Sequence, residues 1–175
     1  MNVCTLEIER TTVASEVGME PDLPMHWQWN QYEVDTDSER IDMDRVIANL
    51  KTTYWAKDRT PEMIRKAWEW SDVHFGVYDT SKNGELIGFA RVLTDGVSFA
   101  WLADVFVAPE HRNKGVGKFL VQCVIEHPDC ADVKQFHLTT RDSHSLYRQF
   151  GWGDHPYPER IMVRFNHDHT EEPPR

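Results

Sequence analysis

Cysteine is scarce in this chain, and so is positive charge. The three cysteines, Cys4, Cys123 and Cys130, are odd in number and fit neither a disulfide framework nor the spacing of a zinc ribbon. Their scarcity favours a reducing compartment, so we expect a cytoplasmic protein. Lysine and arginine total 19 against 29 aspartates and glutamates, which leaves a net charge of −10. Because a general nucleic-acid binder needs a basic face, this balance argues against nucleic acid as a partner.

Long apolar runs are absent as well. No segment approaches the roughly 20 consecutive apolar residues of a membrane-spanning helix. The N-terminal residues MNVCTLEIER lack the apolar core of a secretory signal peptide. We therefore expect no membrane as a partner. Hydrophobic residues still make up 40% of the 175 positions, and a chain of that length buries a core without disulfides or structural metals.

Apolar periodicity and turn residues predict a single domain over residues 30–166. We expect an irregular N-terminal extension over 1–29 and a disordered polar tail over 167–175. The tail contains the run HDHTEE, which has the residue types of a metal chelator. An acidic tail without fixed structure does not hold such ligands in place, so we expect no metal site.

The predicted order of elements is strand, two helices, a three-stranded meander, helix, strand, helix and strand. Asp42 and Thr60 are placed to cap the first two helices, with Pro61 at the first helical position of the second. Asn83-Gly84 predicts a hairpin turn within the meander. This order predicts an α/β (α+β) fold, with a mixed sheet flanked by helices. The predicted strands are QYEVDT (31–36), VHFGVYD (73–79), ELIGFARVL (85–93), SFAWLADVFV (98–107), KQFHLTT (134–140) and RIMVRF (160–165).

The run RNKGVGK (112–118) follows a predicted strand and opens a predicted helix. A helix N-terminus carries unpaired N–H groups and roughly half a positive charge, so it attracts anions. Gly115 and Gly117 remove the Cβ atoms that would keep a phosphate away from the backbone, and Arg112 and Lys114 add positive charge. The run therefore predicts a diphosphate site, with an ordinary strand-to-helix turn as the alternative.

Two common phosphate motifs do not fit this run. The Walker A motif needs a longer glycine-to-lysine spacing and a Ser or Thr after the lysine, and GVGKF has neither. The dinucleotide fingerprint G-x-G-x-x-G needs a third glycine where Leu120 stands, and it opens an early βαβ unit rather than following a meander. What remains is R-x-x-G-x-G after a strand that ends in VFVAPEH.

This remaining pattern resembles the acetyl-coenzyme A signature of the GNAT N-acetyltransferase superfamily. A second segment, SLYRQFGW (145–152), is similar to the family's LYxxxGF segment and follows the first at the family's spacing of about 30 residues. The resemblance covers residues 85–152, and more loosely the helices around Tyr54 and Trp55. It implies the family fold, a mostly antiparallel central sheet whose fourth and fifth strands splay apart. It also implies acetyl-CoA as a cosubstrate, and no metal.

The resemblance assigns the cofactor to two parts of the chain. The pantetheine arm would lie between the splayed strands and pair with the backbone of Val105, Phe106 and Val107, and the Val105 N–H would stabilise the developing oxyanion. Thr140 stands where many relatives carry an asparagine that contacts the pantetheine. The implied diphosphate site consists of Arg112, Asn113, Lys114, Gly115, Val116, Gly117 and Lys118.

Tyr147 falls on the tyrosine that acts as the general acid in this family. The leaving thiolate of coenzyme A must be protonated, and a phenol with an unperturbed pKa near ~10 is well matched to an alkyl thiol. Packing on an amphipathic helix is the alternative role for this side chain.

The general base is where the chain departs from the family. Relatives often carry it on the fourth strand, at positions occupied here by Trp101 and Ala103, neither of which accepts a proton. Asp104 is a nearby carboxylate, but strand alternation turns it to the opposite face unless a β-bulge intervenes. A hydrogen-bonding role within the strand is the alternative for Asp104, and a chain of water molecules could deprotonate the amine instead.

The resemblance implies transfer of an acetyl group from acetyl-CoA to a primary amine of a small molecule, by direct attack in a ternary complex. Two alternatives stay open. The missing strand base favours a non-catalytic, coenzyme A-binding sensor or interaction module, and the acceptor could instead be a protein lysine or N-terminus. The resemblance is also compatible with a homodimer.

Overall fold

Seven strands form one mixed sheet in the computed structural model of the chain, which describes residues 9–11 and 24–165. Every strand lies beside its neighbour in sequence. All neighbouring pairs are antiparallel except the last, which is parallel. The strands are β1 (Glu9–Thr11), β2 (His26–Trp29), β3 (Tyr32–Asp35), β4 (Val73–Asp79), β5 (Glu85–Thr94), β6 (Phe99–Val107) and β7 (Gln135–His137).

The splay between two of these strands confirms the predicted fold class. Counted from the strand predicted at 31–36, the fourth and fifth strands are β6 and β7. They pair only where Phe99–Trp101 meets β7. Beyond Trp101, β6 continues to Val107 with β5 as its one strand partner among the described residues. A wedge-shaped gap therefore opens along this half of β6.

The first two helices begin at the predicted caps, because the Ncap side chains satisfy N–H groups that have no acceptor within the helix. The Asp42 carboxylate accepts a hydrogen bond from the Arg45 N–H at 3.0 Å, and the Thr60 hydroxyl accepts one from the Met63 N–H at 3.3 Å. The helices are α1 (Met43–Leu50), α2 (Pro61–Glu69), α3 (Val116–Glu126), α4 (Pro128–Ala131) and α5 (His144–Tyr147).

The meander of β4, β5 and β6 is confirmed, and its first turn uses the predicted residues. Asn83 and Gly84 both have positive φ, 55° and 69°, which is the backbone geometry that favours this pair. Aromatic side chains fill the space between sheet and helices. Trp27, Phe75 and Phe119 are fully buried on one side, and Phe89 stacks on Phe106 with ring centroids 5.3 Å apart.

Three sequence-based expectations need correction. The extension over 1–29 is not irregular throughout, since residues 26–29 form β2, whose Trp27 is fully buried, and residues 9–11 pair with it. The predicted strand over 134–140 contributes only Gln135–His137. The strand predicted over 160–165 is wrong, because residues 161–165 have no regular structure and are exposed to solvent. The predicted tail, 167–175, and the rest of 1–29 apart from residues 24–25 lie outside the described residues.

The chain divides into two compact units, Met1–Thr139 and Thr140–Arg175. The first contains the whole sheet and helices α1 to α4. The second contains α5, a single 3-10 turn over Arg148–Phe150, and Gly151 in a left-handed conformation with φ 93°, as expected for a glycine that ends a helix. Within the described ranges, no helix has the length and apolarity that crossing a bilayer requires.

Candidate active site

The glycine turn lies at the surface, between β6 and α3. The chain leaves β6 at Val107 and makes one 3-10 turn over Pro109–His111. It then presents the exposed side chains of Arg112, Asn113 and Lys114. The turn is therefore open to solvent and not covered by packed side chains.

Gly115 is the Ncap residue of α3 and has φ 88°, a conformation that favours glycine. A Cβ atom at this position would lie 2.8 Å from the Cη2 atom of Trp29, which is too close for a carbon contact. Trp29 packs in turn on Phe119, with ring centroids 5.7 Å apart. The turn thus rests on the aromatic end of β2, and only glycine fits between them.

The start of α3 presents backbone donors. The Phe119 N–H donates to the Gly115 carbonyl at 3.0 Å, which begins the helical hydrogen-bond pattern. The N–H groups of Val116, Gly117 and Lys118 precede this bond, and such first-turn groups have no acceptor within the helix. Together with the exposed Lys118 side chain they form a surface that attracts anions.

Arg112 ties this turn to the end of β6. Its Nε donates to the Val107 carbonyl at 2.9 Å, and its guanidinium carbon lies 5.7 Å from the centre of the Phe106 ring. Arg112 therefore connects the predicted diphosphate residues directly to the end of β6. The Ala108 N–H donates to the Ile87 carbonyl at 2.8 Å, and hydrogen-bonded pairs alternate along an antiparallel ladder, so the backbone groups of Phe106 face β5. Val105 and Val107 are therefore the stronger candidates for backbone pairing at the open edge.

A β-bulge interrupts β6 beside Val105. The register between β5 and β6 shifts between Phe89 and Arg91, so that Asp104 and Val105 both lie opposite Ala90. Asp104 has φ 51°, a left-handed value that is uncommon for a residue other than glycine. Strand alternation alone would turn Asp104 to the face opposite Ala103, and a bulge is the irregularity that changes this.

The bulge places Asp104 on the same face of the sheet as Ala103. Arg91 lies opposite Ala103 in the register, so the two side chains share a face, and the Arg91 Nε donates to the Asp104 carboxylate at 2.7 Å. Arg59 binds both oxygens of the same carboxylate, at 2.9 and 3.0 Å. A carboxylate whose oxygens accept hydrogen bonds from two guanidinium groups fixes the position of both arginines, so this arrangement favours the hydrogen-bonding role for Asp104.

His137 is a residue that the sequence analysis missed. It lies opposite Trp101 at the last register pair before β6 and β7 separate. The two rings stack, with an interplanar angle of 10° and centroids 6.2 Å apart, so both side chains lie on one face of the sheet. His137 falls within the predicted strand KQFHLTT, but no sequence signal revealed which residue of β6 it would face.

Tyr147 and Thr140 belong to the second unit. Tyr147 is the last residue of α5 and is 7% exposed, with its ring 5.9 Å from that of Trp152 in an edge-on arrangement. The Thr140 hydroxyl accepts a hydrogen bond from the Ser143 N–H at 3.1 Å, which fixes the approach to α5. The LYxxxGF segment therefore forms the end of α5 and a 3-10 turn that stops at Gly151.

The described cysteines and acidic residues form no further reactive centre. Cys123 and Cys130 are buried, and burial raises the pKa of the Cys130 thiol to about 12. Within residues 9–11 and 24–165, no three histidine, cysteine, aspartate or glutamate side chains are grouped so as to hold a metal ion.

Comparison with known proteins identifies the family. The model of the acetyltransferase (GNAT) family matches residues 44–152, which is more than half of the chain. The chain belongs to the GNAT acetyltransferase family. A Gibberella zeae protein named "Putative acetyltransferase FG08082" is 31% identical to this GNAT protein in an alignment of 120 residues, and the match covers 59% of this chain and 67% of the relative.

Solved structures of GNAT proteins agree with the fold. The crystal structure of a Xanthomonas campestris pv. campestris protein described as a "putative acetyltransferase belonging to the gnat family" has a TM-score of 0.73 and 35% identity. That match covers 79% of this chain and 95% of the other. Glucosamine-6-phosphate N-acetyltransferase from Arabidopsis thaliana has a TM-score of 0.54 at 14% identity, over 79% of this chain and 100% of the other, and shares the fold alone.

Proposed function

We propose that this GNAT protein transfers an acetyl group from acetyl-CoA to a primary amine of a small molecule, by direct attack in a ternary complex. The observation that carries the proposal is the continuity between the exposed turn at the start of α3 and the open edge of β6. An anion-binding turn beside an unpaired strand edge suits a cofactor with a diphosphate at one end and an amide-containing arm at the other.

The residues of the turn would hold the cofactor by two kinds of contact. The first N–H groups of α3 would donate to the diphosphate, and Lys114, Lys118 and the Arg112 guanidinium would add charge. Backbone groups of Val105 and Val107 would pair with the pantetheine amides along the gap, since those of Phe106 face β5. Bound acetyl-CoA would supply the activated acyl group.

The chemistry then needs three functions from the chain. The amine lone pair forms a C–N bond to the thioester carbon, the C–S bond breaks, and the leaving sulfur takes a proton from the Tyr147 hydroxyl. The Val105 N–H stabilises the negative charge that develops on the carbonyl oxygen. The nitrogen must also lose a proton, and an acceptor that arrives as an ammonium ion must lose one before it attacks.

We propose that His137 accepts the proton that the acceptor nitrogen loses. The family's base positions on β6 are Trp101 and Ala103, and His137 stacks on Trp101 on the same face of the sheet. Imidazole is the side chain that most readily gains and loses a proton near neutral pH. Asp104 reaches that face too, but its two guanidinium partners make it the weaker candidate.

Replacement of His137 by glutamine is expected to lower kcat/KM for the acceptor by about 10²-fold near pH 7, at the lower end of general base effects. The deficit should shrink as the pH approaches the pKa of the acceptor amine, because neutral amine then forms without a base. A pH profile of both proteins tests this. His26→Gln, on β2 away from the gap, is the matched control. A deficit of equal size at every pH would contradict the assignment.

A thiol-release assay tests the proposed function. Protein and acetyl-CoA are mixed with small amines, polyamines, amino acids and peptides, and free thiol is measured. Because Cys123 and Cys130 are buried, they should add little to the signal. We expect release with one class of small amine, and selective release with peptides would instead support a protein acetyltransferase.

Thermal denaturation separates catalysis from binding. Acetyl-CoA at about 100 times its dissociation constant should stabilise the protein by roughly 2.7 kcal/mol and raise Tm by several degrees. S-acetylpantetheine, which lacks the diphosphate, should have much less effect at the same concentration. Stabilisation by acetyl-CoA without transfer to any amine would favour the non-catalytic sensor, and no stabilisation at all would contradict acetyl-CoA binding.

A further inference from the structure

We propose that Arg59 and Asp104 are positioning residues, which fix the connection between α1 and α2 to the bulge of β6 and thereby align the acceptor with the thioester. The inference rests on the proposed function, since it concerns the same site. It identifies two side chains that act through others and need not contact the reacting atoms.

The bulge requires support from outside β6. A residue other than glycine in the left-handed region costs on the order of 1–3 kcal/mol and persists only where its surroundings hold it. Asp104 has φ 51° and is 8% exposed. Its carboxylate is held by Arg91 from β5 and by Arg59 from the helical side. These three residues, which we call the Asp104 clamp, therefore hold the bulge in its strained conformation.

The two arginines of the clamp differ in their surroundings. Arg91 is 8% exposed and also donates to the Ser71 hydroxyl at 3.0 Å, so it is fixed at the end of α2. The side chain of Arg59 is 31% exposed, and its guanidinium donates to both oxygens of the Asp104 carboxylate. Arg91 is thus built into the core, whereas Arg59 is an accessible link that can be removed separately.

The ion pair between Arg59 and Asp104 joins the connection between α1 and α2 to β6, two segments that the proposed reaction requires to be aligned. Arg59 immediately precedes Thr60, the Ncap residue of α2, and ends the connection that carries the half-buried rings of Tyr54 and Trp55. Asp104 immediately precedes Val105, the proposed oxyanion donor. One bidentate ion pair therefore spans the helical connection and the strand position where the thioester carbonyl would bind, and a shift of about 1 Å at such a position can cost 10²-fold in rate.

The test compares Arg59→Ala with Arg65→Ala. Arg65 joins α2 to Asp44 of α1 by an exposed ion pair at 2.6 Å, so it controls for loss of a helical ion pair. We expect Arg59→Ala to lower kcat/KM for the acceptor by about 10- to 100-fold and to leave the dissociation constant of acetyl-CoA within about twofold. It should lower Tm more than Arg65→Ala does, because the Asp104 side chain is 4% exposed and that of Asp44 is 88% exposed. Millimolar guanidinium should restore part of the activity of Arg59→Ala by occupying the vacated site, and it should not raise the activity of Arg65→Ala. The kcat/KM of Arg59→Lys should lie between those of Arg59→Ala and the unmodified protein.

Hydrogen exchange gives a readout that does not depend on activity. Arg59→Ala should speed amide exchange over residues 51–58 and 104–106, and Arg65→Ala should not. An unchanged exchange pattern would overturn the clamp, and faster exchange with unchanged acceptor kinetics would overturn its positioning role. Failure of the unmodified protein to release thiol with any amine would instead reject the proposed function, which makes the two failures distinguishable.

Discussion

Replacement of Tyr147 by phenylalanine is expected to lower kcat by about 10²- to 10⁴-fold, the range for loss of a general acid. The variant keeps the ring that packs edge-on against Trp152 and loses only the hydroxyl. Affinity for acetyl-CoA should therefore stay within about twofold. Steady-state kinetics with the best acceptor from the thiol-release screen, together with calorimetric titration of acetyl-CoA, measure the two quantities separately.

Tyr157→Phe is the matched control for this experiment. Tyr157 belongs to the same unit, is 49% exposed, and has the Arg160 guanidinium carbon 4.0 Å from its ring centre. Loss of its hydroxyl should leave kcat unchanged. If Tyr147→Phe also turns over normally, the acid assignment is wrong and Tyr147 is a packing residue, which was the alternative that its place on an amphipathic helix left open.

Replacement of Asp104 by alanine is expected to lower the free energy of unfolding by about 3–5 kcal/mol, the usual cost of breaking a buried ion pair from one side. The loss arises because Arg91, which is 8% exposed, would keep its charge without a carboxylate partner. Since domains are stable by only about 5–15 kcal/mol, the effect should be obvious in urea denaturation.

Two variants give this prediction its controls. Asp104→Asn keeps an oxygen acceptor of nearly the same shape and should cost less than the alanine variant. Asp44→Ala breaks an ion pair whose carboxylate is 88% exposed and should cost below about 1 kcal/mol. A stable Asp104→Ala protein that has lost activity would reverse the interpretation, because that combination is expected of a general base and not of a structural carboxylate.

The elements that could be predicted from the sequence are those that form through interactions between residues close together in the chain. Asp42 and Thr60 cap their helices with acceptors that lie within three residues of the donors. Asn83 and Gly84 turn the meander because both tolerate positive φ. The R-x-x-G-x-G turn is exposed at the start of a helix because its glycines and basic residues suit that position whatever surrounds them.

The sequence-based predictions are wrong or incomplete where contacts between residues far apart in the chain determine the structure. The segment RIMVRF has the composition of a strand, but a strand also needs a neighbour, and residues 161–165 have none in the described structure. Trp27 gave no periodic signal, yet it is fully buried in β2. Strand alternation turned Asp104 to the opposite face unless a bulge intervened, and only the register with β5 shows that the bulge is there.

The sequence by itself determined the family signature, the helix caps, the meander and the exposed glycine turn, since each depends on residues close together in the chain. Only the tertiary structure decided that Asp104 is clamped by arginines 45 and 13 residues away, and that His137 faces Trp101 where the strands separate. Register and ion pairing between distant segments depend on the balance of burial, charge and chain geometry over the whole fold. No short stretch of sequence contains that information.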